Sequence, residues 1–264
     1  MSENDSTLHH KVMNPPKMSV IERVLRGVPQ EWIDLMDVKE LSKIIEQIEE
    51  EPLPSWDLVF EVFRLTPLQR VCVVLIGQDP YPTPGYAHGL SFSCKVGIPM
   101  SLRRIYECML ASGVLSQRPT TGDLTPWAGE GVLMLNRAFT ISSIKGRNHM
   151  NLWKDFTQKL IHKLDDLYPD LVYLLWGNFA QQTQTKGIRL CWSHPSPLCT
   201  KPFISCDHFK RLEKMFQPKI NWDIINQPPE SPHEGGKTQH VQDILDLVGE
   251  GETYCELFLG AGRL

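Results

Sequence analysis

The sequence predicts a single α/β domain in which a central four-stranded parallel sheet is flanked by helices. Three observations carry that expectation. Four short segments are apolar and partly β-branched: VCVVLIG ending at Gly77, GVLMLN ending at Asn136, DLVYLLWG ending at Gly177 and GIRLCWS ending at Ser193. Runs that are apolar on both faces suit strands covered from both sides, as parallel sheets require. Helical stretches lie between several of them, notably Leu102 to Met109 and Leu152 to Leu167, which is the alternation of a layered α/β fold. With 264 residues, 41% apolar and 22% charged, the chain can bury one large core.

Taken in order, residues 1–17 are polar, contain Pro15 and Pro16 and lack periodicity, so they read as a disordered leader, and the folded domain is expected over residues 18–227. From Val38 to Glu51, Leu41, Ile44, Ile45 and Ile48 recur at helical spacing among charges, which predicts an amphipathic surface helix with a solvated charged face. Beyond Gln227, Pro228, Pro229 and Pro232 mark a linker. Residues 228–264 form an acidic extension, with seven acids against Lys237 and Arg263, and are expected to be flexible. Val241 to Val248 fits a short helix with Ile244, Leu245 and Val248 on one side, a segment suited to a protein partner. The longest apolar run, Val71 to Ile76, is too short to span a bilayer, and MSENDS lacks the features of a secretory signal, so no membrane association is expected. Seven cysteines without a Cys-x-x-Cys predict reduced thiols in an intracellular compartment rather than a disulfide framework or a zinc ribbon. The charge outside the tail is near balance, which neither announces a nucleic-acid binder nor excludes one whose basic groups share a face.

Functional groups stand where the strands end. The first strand runs into Gly77-Gln78-Asp79-Pro80-Tyr81, the second into Asn136, the third into Trp176-Gly177-Asn178 and the fourth into His194-Pro195-Ser196-Pro197. Ligands of open parallel sheets bind at the carboxyl ends of the strands, so Asp79, Asn136 and His194 are placed to converge there. Each alone is an ordinary turn residue or satisfied histidine, and the signal lies in their equivalent positions. Tyr81 and Phe92, the latter within His88 to Ser93 (HGLSFS), add rings on which a flat heterocycle can stack. One carboxylate, one amide, one imidazole and two rings suit a nucleobase better than a sugar or an acyl chain. The chain lacks Gly-x-Ser-x-Gly, His-Glu-x-x-His and the zinc-deaminase pattern, and Gly236-Lys237-Thr238 lacks the upstream glycine of a phosphate loop.

In their order and spacing these motifs resemble family 1 uracil-DNA glycosylases. The match comprises GQDPY, HGLSFS, GVLMLN with RAFTI, LLWG with Phe179-Ala180-Gln181, HPSPL and Cys206-x-His208-Phe209, and it extends over roughly Val20 to Asn226. The resemblance implies an intracellular monomer, nuclear if eukaryotic or viral and cytoplasmic if bacterial, that hydrolyses the N-glycosidic bond of uracil in single- or double-stranded DNA without metal or other cofactor. Carried over residue by residue, it implies that Asp79 positions water and stabilises the departing sugar, and that His194 donates to uracil O2. Asn136 would read the O4 and N3–H edge, Tyr81 would exclude a 5-methyl group, Phe92 would stack on the base, and Gln78 would add a nearby contact. Ser101 and Ser196 would grip phosphates, and Leu198 would enter the space left by the flipped nucleotide; a wedge of that kind is expected to be exposed in the free protein.

Departures from the family leave alternatives open. Pro82 stands where the family has a histidine that helps hold the water, and the proline-rich loop before Ser101 retains only Pro99. Between Gln181 and His194 the family's Gly-Ser element is missing, with Thr183, Thr185 and Gly187 the residues at hand, and the loop after Leu198 is short, with Lys201 its one basic group. His149 matches the family histidine in the loop after the second strand. These departures and the tail keep a second reading, a weakly active or inactive DNA-binding accessory protein on the same fold. A third is an unrelated α/β hydrolase acting on a small nucleoside.

Overall fold

The computed structural model describes residues 18–144, 147–199 and 202–227. The expected leader, the acidic extension and Lys201 lie outside the described residues. The elements below all belong to the unit that ends at Asn226. In chain order they are α1 (Val20–Leu25), α2 (Gln30–Asp34), α3 (Val38–Glu46), α4 (Glu61–Leu65), β1 (Val73–Gly77), α5 (Met100–Ser112), α6 (Thr125–Gly129), β2 (Val132–Asn136), α7 (Met150–Leu167), β3 (Val172–Trp176), α8 (Asn178–Gln181), β4 (Ile188–Trp192) and α9 (His208–Met215). Short 3-10 turns occupy Leu68–Arg70, Phe203–Ser205 and Trp222–Asn226.

The four strands form a parallel sheet in the order β2-β1-β3-β4, as the sequence predicts. Gly77 lies opposite Asn136 and Trp176 opposite Trp192, so all four carboxyl ends reach the same edge. Every residue of β1, β2 and β3 is buried, which is why their sequences run apolar without alternation. Side chains alternate across a strand, and Tyr173 and Trp176 therefore point to opposite faces. The Tyr173 hydroxyl donates to Asp165 of α7 at 2.8 Å, while the Trp176 ring packs on Phe203 and on Phe209 of α9 at 4.9 and 6.0 Å. Both faces of the sheet are thus covered. On the α7 side, Phe60, Phe139, Trp153 and Phe156 form an aromatic cluster, with Phe60 and Trp153 each about 5 Å from Phe139.

Two expectations need correction. The fourth strand is not apolar on both faces: Ile188, Arg189 and Cys191 are exposed and only Leu190 is fully buried, so β4, unlike the other edge strand β2, is left partly uncovered. Arg189 is the residue that signals this in the sequence. The amphipathic helix stops at Glu46 rather than Glu51. Asp37 starts it by accepting from the backbone N–H of Lys39 and Glu40, and its last turn tightens as the Gln47 N–H bonds back to Ile44 and Ile45. Pro52 disfavours a helical residue before it, and the segment so released carries Glu50 to Ser142 and to within 3.5 Å of His149.

Candidate active site

Two glycines let the strand ends carry bulky polar groups. A Cβ on Gly77 would stand 2.2 Å from the Asn136 Oδ1, so only glycine at the end of β1 lets the Asn136 amide lie beside it. Gly177, with φ of +89°, ends the turn after β3, and a Cβ there would stand 2.8 Å from the Cβ of His194. Asn136 and His194 are therefore each accommodated by a glycine at or just past the end of a strand.

A cavity of about 180 Å³ opens at this edge. Gln78, Asp79, Tyr81, Phe92, Ser101, Asn136 and His194 all line it, so seven residues singled out in the sequence come together in one place. Gly77, Pro80, Pro82, Ala87, Gly89 and Leu90 complete the wall; of these only Ala87 lies outside the motifs and departures noted in the sequence. Ser196 and Leu198 do not reach the cavity. They lie past His194, where a groove bounded by Gly177, Asn178, Trp192 and Leu198 begins. Leu198 is 91% exposed, as expected of a wedge in the free protein. Thr183 is buried and a Cβ on Gly187 would meet the Leu171 carbonyl, while the groove itself is bounded by Gly177 and Asn178.

The electrostatics separate the two candidate catalytic groups. Asp79 is half-buried, and burial raises its pKa above the usual carboxylate value, partly offset by the Gln78 amide, whose Nε2 donates to Oδ2 at 3.4 Å. His194 has its pKa lowered by burial and is held neutral. The backbone N–H of Ser196 donates to its Nδ1 at 3.0 Å. An amide N–H can only donate, so the Nδ1 carries the lone pair and the ring proton sits on Nε2. The site thus offers one anion and one neutral N–H donor.

The rings are fixed by a strained turn. Phe92 adopts φ of +61°, a left-handed conformation that costs a non-glycine residue about 1 kcal/mol. Hydrogen bonds on both sides impose it. The Ser91 N–H donates to the Met134 carbonyl at 3.0 Å, the Leu124 N–H donates to Ser93 Oγ at 2.8 Å, and Ser93 Oγ lies 2.6 Å from His88 Nε2. The Tyr81 hydroxyl donates to the Phe92 carbonyl at 2.9 Å, and burial pushes its pKa up, so it stays protonated. The Phe92 ring centre lies 5.7 Å from that of His194 and 5.8 Å from that of Trp176. His149 stands apart from this cavity, buried with its Nδ1 2.9 Å from Thr140 Oγ1.

Among the described residues, no group of three or more His, Cys, Asp or Glu side chains is arranged to hold a metal, the six cysteines are free thiols, and no helix is long and apolar enough to cross a membrane.

Comparison with known proteins places the site in a family context. The family model for the uracil DNA glycosylase superfamily matches residues 63–217. The uracil-DNA glycosylase of varicella-zoster virus (strain Dumas) is 36% identical over 221 residues, covering 75% of this chain and 72% of the viral protein. That of Campylobacter hominis is 35% identical over 226 residues, covering 76% of this chain and 96% of the bacterial one. Among solved structures, the mimivirus uracil-DNA glycosylase matches with a TM-score of 0.65 at 28% identity, over 78% of this chain and 90% of that one. A mimivirus UNG variant in complex with UGI matches with a TM-score of 0.62 at 30% identity, over 72% of this chain and 82% of its own.

Proposed function

This chain belongs to the uracil-DNA glycosylase superfamily, and on that premise we propose that it is a family 1 enzyme that flips uracil out of DNA and hydrolyses its N-glycosidic bond, leaving free uracil and an abasic site. The observation that carries the reading is the meeting of Asp79, Asn136 and His194 in one cavity, with the His194 proton directed to Nε2 by the Ser196 amide.

Breaking the bond leaves positive charge on the sugar and negative charge on the base. The Asp79 carboxylate faces the first, stabilising an oxocarbenium-like centre and orienting the attacking water. The neutral His194 Nε2–H faces the second, donating to uracil O2 as charge builds there. Asn136 offers an acceptor for N3–H and a donor for O4, a pattern that cytosine reverses and that would leave buried groups unpaired. Phe92 stacks on the base and Tyr81 fills the volume a thymine methyl group would need. Gln78 lines the floor beside Asp79 and opposes the rise in its pKa. Outside the cavity Leu198 enters the vacated stack, and Ser101 and Ser196 hold phosphates of single- or double-stranded DNA. All these groups come from one chain, so a monomer suffices.

One observation favours the second reading, a weakly active DNA-binding accessory protein. Pro82 is exposed where the family has its water-holding histidine, and no cation among the described residues contributes to the Asp79 pKa. Matched oligonucleotides carrying one uracil, thymine or cytosine decide between them, assayed in EDTA with the parent and Asn136→Ala. The enzyme reading expects uracil-only release that the variant loses; intact DNA binding by a folded parent that frees no base establishes the accessory protein instead.

A further inference from the structure

Resting on the glycosylase reading, the geometry points to Arg104 as an additional DNA phosphate ligand, one that at the same time pins the loop carrying His194 and Leu198. Arg104 lies three residues after Ser101 on α5 and so shares its helix face, the face turned to the cavity mouth. Its Nη1 donates to the Ser196 carbonyl at 3.3 Å, an oxygen that also accepts from the Cys199 N–H at 3.2 Å. Ser196 is the hub of that loop: its own N–H donates to His194 Nδ1, and its Oγ accepts from the Leu198 N–H at 3.2 Å. One guanidinium therefore touches the residue that sets both the imidazole tautomer and the approach of the wedge.

The charge of Arg104 is the second observation. Like several other arginines it has no carboxylate within ion-pair distance among the described residues, so its charge is free to meet an anion, and of these arginines it is the one bonded to the Ser196 carbonyl. That charge is balanced when an anion arrives. A guanidinium has five N–H donors in a planar fork, and the remaining ones suit a phosphate oxygen pair between Ser101 at the cavity and Ser196 beyond it.

The test separates a phosphate ligand from a purely structural strut. On a uracil-containing duplex, Arg104→Gln is expected to raise KM roughly tenfold near 0.1 M salt with kcat within about threefold, and to flatten the slope of log(kcat/KM) against log(salt) by about 0.9, the share of one phosphate. Arg104→Lys, which keeps the charge, should restore most of that slope. The same flattening is expected in the Kd for a duplex with a tetrahydrofuran abasic analogue, a measurement that needs no base release. Loss of the enzyme reading, with no uracil freed by the parent, thus remains distinct from loss of this one. An unchanged salt slope in Arg104→Gln overturns the proposal, whether KM stays put or kcat falls because the loop has moved. Should Arg104→Gln melt below the assay temperature, Arg104→Asn takes its place.

Discussion

The inner wall of the cavity and its rim are built differently. Inside, Asn136, Phe92 and His194 are held by the sheet, by a hydrogen-bonded strained turn and by a backbone amide. On the rim, Pro82 to Gly85 and Leu198 are exposed, and the groups proposed to contact DNA sit on loops and on the first two turns of α5. The contrast teaches where the physical work is divided. Reading the base and stabilising charge need groups fixed before the substrate arrives, because reorganisation at the moment of reaction costs rate. Gripping a backbone and pushing out a nucleotide tolerate looser geometry, because phosphates and base steps are alike along any sequence. Substitutions inside should therefore cost orders of magnitude, and those on the rim far less.

Asp79→Asn is expected to give the largest effect. It keeps shape while removing the carboxylate proposed to face the sugar, and loss of roughly a thousandfold in kcat, about 4 kcal/mol, is anticipated in single-turnover release. The same change should raise Tm at neutral pH. Burial raises the pKa of Asp79, so the folded state holds that proton more tightly than the unfolded chain. Between the unfolded value and the raised one, stability falls as pH rises, and asparagine removes that penalty. A variant both inactive and less stable would show that the carboxylate is structural.

Gly177→Ala comes next, and it tests the inner wall without replacing a catalytic group. The added Cβ meets the His194 Cβ at 2.8 Å on a backbone with φ of +89°, so the imidazole must shift. About a hundredfold loss in kcat with little change in KM is expected. A loss confined to KM would mean that the position of His194 does not limit the chemistry.

Much of this wall was legible in the sequence because strand ends are legible. Apolar runs locate β1, β2 and β3, and parallel topology brings Asp79, Asn136 and His194 to one edge. What stayed hidden depends on backbone detail that residue types do not encode. Nothing about a phenylalanine in HGLSFS announces φ of +61°, since the His88 and Ser93 side chains and the Ser91 backbone N–H impose it. The His194 tautomer follows from the turn at Ser196, and the bond from Arg104 to that turn joins residues 92 apart. Arg189, by contrast, was a visible warning that β4 is partly exposed, outweighed by the apolar residues around it.

Leu198→Ala probes the rim. Truncating the wedge removes what occupies the vacated stack, so release from duplex DNA should fall roughly tenfold while release from single-stranded DNA changes little. Equal losses on both substrates would place Leu198 in substrate binding at large rather than in opening the duplex.

The smallest effect, Pro82→His, is the one that joins the two regions, because Pro82 lines the cavity and is also exposed on the rim. Asp79 now has only the Gln78 amide to oppose the rise in its pKa. Activity should therefore fall with acidification as Asp79 takes up its proton, starting at a pH above that of an ordinary aspartate, near 3.9. A histidine here adds a second group for the water and, when protonated, a cation that favours the ionised carboxylate. The expected gain is two- to fivefold in kcat near neutrality, about 0.5–1 kcal/mol, with the acid limb moved to lower pH. If the rate rises while the limb stays in place, the histidine acts on the water alone, and Asp79 draws its altered pKa from the buried wall rather than from the loop.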